Sequence, residues 1–345
     1  MRRELDGFPS GLRAGVDGDR EPITRGFDEE LRRAQALIVR QQHSLAGRPE
    51  RKDPVESGRG QEVDVRGEAI LVERLAAVAE RRHSGGDRTS QHVRNFMLGL
   101  VSGLRVERDG AILRVTLAKP ERRNAFDAEL IRELHEAFAA VGDARVVVLA
   151  GEGPTFCAGA DVEWQRSSID LTYEENVDDA LRLYRMCESV DRCRAPVVAR
   201  VQGYALGGGS GLVACSDVAI AAPDATFGFT EVKLGIIPAV ISPFVLPKIS
   251  AHARRYFLTG ERFDAQTALR IGLVHEVAED LDEAVERVVA ELLTSGSRAV
   301  REAKELIRDR PEGIETARIA ARLRSGDEGQ EGLRAFLEKR VPGWR

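Results

Sequence analysis

Three consecutive glycines, Gly207-Gly208-Gly209, stand between an apolar run over 197–201 and a second one that carries Leu212-Val213-Ala214-Cys215. Glycine has no β-carbon, so a backbone built from it can lie directly against another group. The first run reads as a buried strand, the second as a buried helix, and the glycines as the joint between them. A helix that begins at such a joint presents unpaired N–H groups and the positive end of its dipole to whatever occupies the turn. A second joint of this kind, Phe156-Cys157-Ala158-Gly159-Ala160-Asp161, follows another apolar run over 145–150. Two strand-to-helix joints with bare backbone favour an α/β chain with a site for negative charge.

The remaining periodicity agrees with that class. Segments 104–108 and 111–117 alternate apolar and polar residues around Asp109-Gly110, which predicts a hairpin. Helices are expected over 127–140, with Asp127 as N-cap, and over 171–194, where Pro196 stops the pattern. Further strands are expected over 145–150, 197–201, 217–221 and 226–229, and from 251 onward the pattern is almost entirely helical. Strand–strand–helix units followed by a helical tail indicate α/β architecture. Residues 1–96 differ from the rest, being rich in Arg, Gly, Asp and Glu. They read as a disordered extension with amphipathic, helix-prone stretches at 27–42 and 68–83, and Met97 is an alternative start of translation. The chain therefore divides into an extension over 1–96, a core over 97–250 and a helical region over 251–345.

With 345 residues and a net charge of −5, the chain does not read as a general nucleic-acid binder. It has no apolar run long enough to span a membrane. The cysteines, Cys157, Cys187, Cys193 and Cys215, form no CxxC pair, which leaves no case for a zinc or redox motif. They read as reduced thiols of a cytoplasmic protein, and neither metal nor cofactor is expected.

Other glycine motifs fail on spacing. From Gly207 a dinucleotide fingerprint would need glycine where Leu212 stands, and no Gly-Lys-Ser/Thr is present. Ser210 as a nucleophile would also need glycine at 212, and no histidine is near it in sequence. What remains is an oxyanion hole of backbone N–H groups, one from the Ala160 region and one from the Gly208 region. Each such donor contributes roughly 3 kcal/mol to a transition state that develops an oxyanion.

The two joints, the segment Gln202-Gly203-Tyr204-Ala205-Leu206 and the segment 227–238 follow one another as in the crotonase (enoyl-CoA hydratase/isomerase) superfamily. So do Leu258-Thr259-Gly260-Glu261-Arg262-Phe263-Asp264-Ala265 and 268–274, and the resemblance runs from about 104 to the C-terminus. It implies a crotonase fold, a spiral of ββα units with a C-terminal helical trimerisation region, assembling as trimers or hexamers. It implies an acyl-CoA substrate whose thioester carbonyl sits between the N–H groups of Ala160 and Gly208. Ala158, Asp161 and Val162 would line the CoA, and Arg122 and Lys339 would pair with its phosphates, Lys339 in a neighbouring subunit's site.

Glu231 matches the position of a catalytic glutamate in hydratases of that family. Members with two glutamates carry the other at the position of Gly211, so here a two-carboxylate mechanism is in doubt. The resemblance is strongest to methylglutaconyl-CoA hydratases of leucine breakdown, whose carboxylated substrate would need a cation such as Arg166 or Lys233. Hydration of an α,β-unsaturated acyl-CoA is the expected reaction. Double-bond migration by Glu231 alone, or CoA binding without catalysis, are the alternatives.

Overall fold

The computed structural model describes residues 103–344, so the N-terminal stretches at 27–42 and 68–83 and Met97 lie outside it. The hairpin forms as its sequence predicts. Strand β1 (Leu104–Asp109) pairs antiparallel with β2 (Ile112–Leu117) across Asp109-Gly110. Strands β3 (Val146–Gly151), β4 (Val197–Val201), β6 (Val218–Ala221) and β9 (Glu276–Val277) then add in parallel, giving a six-stranded sheet in the order β1-β2-β3-β4-β6-β9.

The unbroken apolar run of β3 is explained by burial on both faces. Val147 and Leu149 face the main core, whereas Val146 and Val148 face a second apolar layer with Leu281, Val285 and Val289 of helix α8 (Leu281–Thr294). The main core is closed by α1 (Ala128–Ala139) and α3 (Tyr173–Asp191). Asp127 caps α1 by accepting the N–H of Leu130 at 2.8 Å. Helix α3 starts two residues later than its periodicity suggests, because Thr172 and Glu175 form a capping box there. Glu175 is thus committed to a helix end.

After β4 the chain leaves the large sheet. Strand β5 (Tyr204–Leu206) lies in a second sheet with β7 (Thr226–Gly228) and β8 (Arg262–Asp264), in the order β5-β7-β8. The stretch beyond 251 is therefore not all helical, since β8 and β9 interrupt it. Both are too short for an alternating pattern to show. Phe263 of β8 packs on Tyr256, with ring centroids 4.3 Å apart.

Three helices end the described chain, α9 (Ser297–Asp309), α10 (Ile314–Ser325) and α11 (Asp327–Leu337). Only Ala335 among them is buried, while Ile307, Ile314, Phe336 and Leu337 are 68–80% exposed. Among the described residues no helix is long and apolar enough to cross a membrane.

Candidate active site

The two joints meet through their backbones. Cys157 bridges Ala205 in parallel: its N–H donates to Tyr204 O at 2.9 Å and its carbonyl accepts from Leu206 N at 3.0 Å. Gly159 has φ +93°, and a β-carbon there would stand 2.8 Å from the carbonyl oxygen of Leu206. The chain can turn and approach at this point only without a side chain. One residue on, Phe126 bridges Ala160. Phe126 N–H donates to Gly159 O and Asp161 N–H donates to Phe126 O, both at 2.7 Å. Bonding on that side of a parallel ladder falls to the residues flanking Ala160, so Ala160's own N–H is left over.

Helix α4 (Gly208–Cys215) supplies the second donor. Gly207, its N-cap, has φ +51° and donates its N–H to Gly228 O at 2.8 Å. Gly208 is the first helical residue and has no carbonyl a turn behind it to bond. Among the described residues neither Ala160 N–H nor Gly208 N–H has a hydrogen-bond partner. The structure thus brings both expected donors to the place where the joints touch.

Several residues that no motif singles out hold this arrangement. Asn124 is fully buried in a left-handed conformation, φ +54°. Its Oδ1 accepts from Lys119 N at 2.9 Å, and its Nδ2 donates to the carbonyls of Glu152 (2.9 Å) and Thr155 (2.7 Å). That fastens the loop before Phe126 to the turn before Phe156. The ring of Phe126 lies against Gly208, where a β-carbon would be 2.8 Å from its Cε2. Only the dipeptide Asn-Ala, ahead of an expected N-cap, marks this loop in the sequence.

Glu231 lies in a 3-10 turn, Thr230–Leu234, that follows β7. Phe227 and Phe229 just before it are fully buried. Its Oε1 lies 3.1 Å from where a β-carbon on Gly207 would stand, which puts the acid beside the α4 joint. Its Oε2 is buried and has no hydrogen-bond partner among the described residues. Burial pushes its pKa above the ordinary glutamate value, with its own backbone N–H working in the opposite direction. Glu231 thus sits as a buried carboxyl beside the α4 joint that carries one of the two unpaired N–H groups.

The place of a second carboxylate is filled rather than open. A β-carbon on Gly211 would stand 2.5 Å from Ile241 Cγ2 and 3.0 Å from its Cβ, and Ile241 is 2% exposed. Ser210 is buried, with Oγ 2.6 Å from Ala205 O and accepting from Gly228 N at 3.4 Å, so it stitches β5, α4 and β7 together. That agrees with its exclusion as a nucleophile.

The expected CoA ligands are less gathered. Ala158 N–H donates to Arg123 O at 3.0 Å, and Val162 is 68% exposed at the start of α2 (Val162–Ser167). Asp161 caps α2 through the N–H groups of Glu163 and Trp164 and also holds Arg122, whose Nη1 is 3.2 Å away. Arg122 remains half exposed. Lys339 follows α11 with φ +56°, and no described contact joins it to either joint or to Glu231. Arg166 pairs with Glu163 at 3.2 Å. His135 lies 3.3 Å from Arg185 O, and His275 accepts Ala219 N–H at 3.0 Å; both are exposed. The four cysteines are free and buried, and burial pushes the Cys157 thiol up to about 12. Among the described residues no group of three or more His, Cys, Asp or Glu is placed to hold a metal ion.

The fold and paired joints define an enoyl-CoA hydratase/isomerase, and the chain belongs to that family, which it matches over residues 107–345. It is 31% identical over 250 residues to the crotonyl-CoA hydratase of Syntrophomonas wolfei, covering 68% of this chain and 95% of that protein. It is 32% identical over 253 residues to the cyclohexa-1,5-dienecarbonyl-CoA hydratase of Thauera aromatica, covering 69% and 95%. The crystal structure of an enoyl-CoA hydratase from Shewanella pealeana is similar with a TM-score of 0.69 at 38% identity, over 73% of this chain and 99% of that one.

Proposed function

We propose that the protein adds water across the double bond of a short or branched 2-enoyl-CoA, giving the 3-hydroxyacyl-CoA. The observation that carries this reading is the single raised carboxyl of Glu231 beside the two unpaired N–H donors. The thioester oxygen accepts hydrogen bonds from Ala160 N–H and Gly208 N–H. As water attacks the β-carbon, the Glu231 carboxylate takes its proton, and the double-bond electrons move toward the thioester to form an enolate. The two donors bear the charge that develops there. The Glu231 carboxyl then returns its proton to the α-carbon, which completes the addition and restores the carboxylate.

The same groups would support isomerisation, in which Glu231 moves one proton between two carbons and no water enters. The packed Ile241 at Gly211 favours this second reading over any two-carboxylate scheme. A branched, carboxylated acyl group of the methylglutaconyl type requires a cation. Each candidate cation has an acidic neighbour: Lys233 lies over Gly260 near Glu261, and Arg166 pairs with Glu163. The uncovered apolar side chains of α9–α11 support a homotrimer or a dimer of trimers, in which Lys339 would meet a neighbour's CoA. Incubation with a 2-enoyl-CoA and, separately, a 3-enoyl-CoA tests the reaction. The hydratase reading expects 3-hydroxyacyl-CoA from the first. Rapid conversion of the second to 2-enoyl-CoA, with no hydroxyacyl product from either, establishes the isomerase.

A further inference from the structure

One buried residue bears on both joints. Phe126 is 1% exposed and its backbone bridges Ala160. Its N–H donates to Gly159 O and its carbonyl accepts Asp161 N–H, both at 2.7 Å, so the residues flanking Ala160 are held while the Ala160 N–H stays unpaired. Its ring reaches the other joint. A β-carbon on Gly208 would stand 2.8 Å from Phe126 Cε2 and 3.1 Å from its Cδ2, so the ring lies directly against the first residue of α4. Phe126 is itself fixed on both sides. Asn124, two residues before it, bonds Lys119, Glu152 and Thr155. Asp127, the next residue, caps α1 and pairs with Lys119 at 2.6 Å. The joints also approach each other where Gly159 meets Leu206 and where Gly209 meets Cys157. Those contacts join backbone to backbone, whereas Phe126 bears on the two residues that carry the unpaired N–H groups.

We infer that Phe126 is a positioning residue for the reaction: its backbone and its ring together set the separation and aim of the Ala160 and Gly208 N–H groups. This rests on the enoyl-CoA hydratase reading, in which both donors bond one thioester oxygen. A donor stabilises the developing charge when it lies about 2.7–3.1 Å from where the oxyanion forms. A displacement of about 1 Å costs on the order of 10²-fold in rate. Donors on two separate joints meet that tolerance when one rigid group spans them. The same spacing can be disturbed from either end: leucine at 126 opens a gap on the Gly208 side, and a methyl on Gly208 presses against the ring.

The test uses Phe126→Leu, Gly208→Ala and the double variant, and either single variant serves if the other does not fold. The kcat for crotonyl-CoA is measured, together with Kd for the unreactive butyryl-CoA. Infrared difference spectra of butyryl-CoA, isotopically labelled at the thioester carbon, give the carbonyl stretch of the bound thioester. Wild type is expected to move that band below its position in free butyryl-CoA, because two N–H donors polarise the carbonyl. Each single variant is expected to lose part of that shift and about tenfold or more in kcat, with Kd within about threefold of wild type. The double variant should regain part of both, since leucine lacks the ring carbon that the new methyl meets. Single variants that keep the wild-type band and kcat overturn the inference, as does a double variant whose loss is the product of the two single losses. If wild type shifts the band but hydrates no enoyl-CoA, the hydratase reading fails, and the band alone decides the role of Phe126. If wild type binds butyryl-CoA and leaves the band unmoved, the paired donors and the role of Phe126 fall together.

Discussion

The carboxyl oxygen Oε1 of Glu231 lies 3.1 Å from the point where a β-carbon on Gly207 would stand, so any side chain added at the α4 N-cap would press on that carboxyl. Gly207 also has φ +51°, which an alanine adopts at a cost. The variant Gly207→Ala is expected to lose at least tenfold in kcat, with a smaller change in KM, because both Glu231 and the Gly208 donor shift. Steady-state kinetics check this, and thermal unfolding should show a loss of about 1 kcal/mol or more.

The raised pKa of Glu231 predicts the shape of the pH–rate profile. Its carboxylate must accept the proton of water, so kcat/KM falls as pH drops through the pKa of the free enzyme. That acid limb is expected above the ordinary glutamate value of 4.5. A limb at or below 4.5 contradicts the assignment.

The same burial predicts that the acid costs stability. A carboxyl whose folded pKa exceeds its unfolded value holds its proton more tightly when folded. It adds stability below the unfolded value, and that stability is lost as pH rises through the folded value. Glu231→Gln is therefore expected to melt higher than wild type at pH 7. The gap should close as pH falls toward 4.5. Melting curves across that range measure it.

Gly211 and Ile241 are expected to be coupled. Gly211→Ala places a methyl 2.5 Å from Ile241 Cγ2. Overpacking of this kind costs about 1–3 kcal/mol. Combining it with Ile241→Val, which trims the facing side chain, should recover part of that loss, a non-additivity of at least 0.5 kcal/mol. Denaturant unfolding of the two single variants and the double variant gives the coupling directly.

Asn124 is expected to matter more than its distance from the chemistry suggests. Asn124→Ala removes three hydrogen bonds and leaves the carbonyls of Glu152 and Thr155 short of a donor, in a conformation with φ +54°. Loss of a buried donor costs about 1–3 kcal/mol. Asn124→Gly relieves the backbone but not the hydrogen bonds, so it should melt between alanine and wild type.

The two joints that leave N–H groups unpaired are legible in sequence because a glycine turn after an apolar strand is a local pattern. A glycine joint after an apolar strand marks Gly208, and Ala160 lies in another such joint. Glu231 is singled out only by resemblance, since a glutamate in a turn looks like any solvated one and its burial beside α4 depends on tertiary packing. Gly211 showed only that a side chain was missing there. That Ile241, thirty residues on, fills the space depends on how α5 (Ser242–Ile249) packs against α4, and no local pattern encodes such a pairing. Asn124 and Phe126 escaped notice for the same reason, their partners being distant in the chain. The short strands β8 and β9 fell below the length at which alternation can be read.

The most direct measurement is hydration of crotonyl-CoA by wild type and Glu231→Gln, with acyl-CoA affinity measured in parallel. An isosteric amide keeps the packing but cannot accept the proton of water. The account predicts a fall of at least 10²-fold in kcat with butyryl-CoA affinity within threefold of wild type. A glutamine variant that hydrates crotonyl-CoA at the wild-type rate contradicts it.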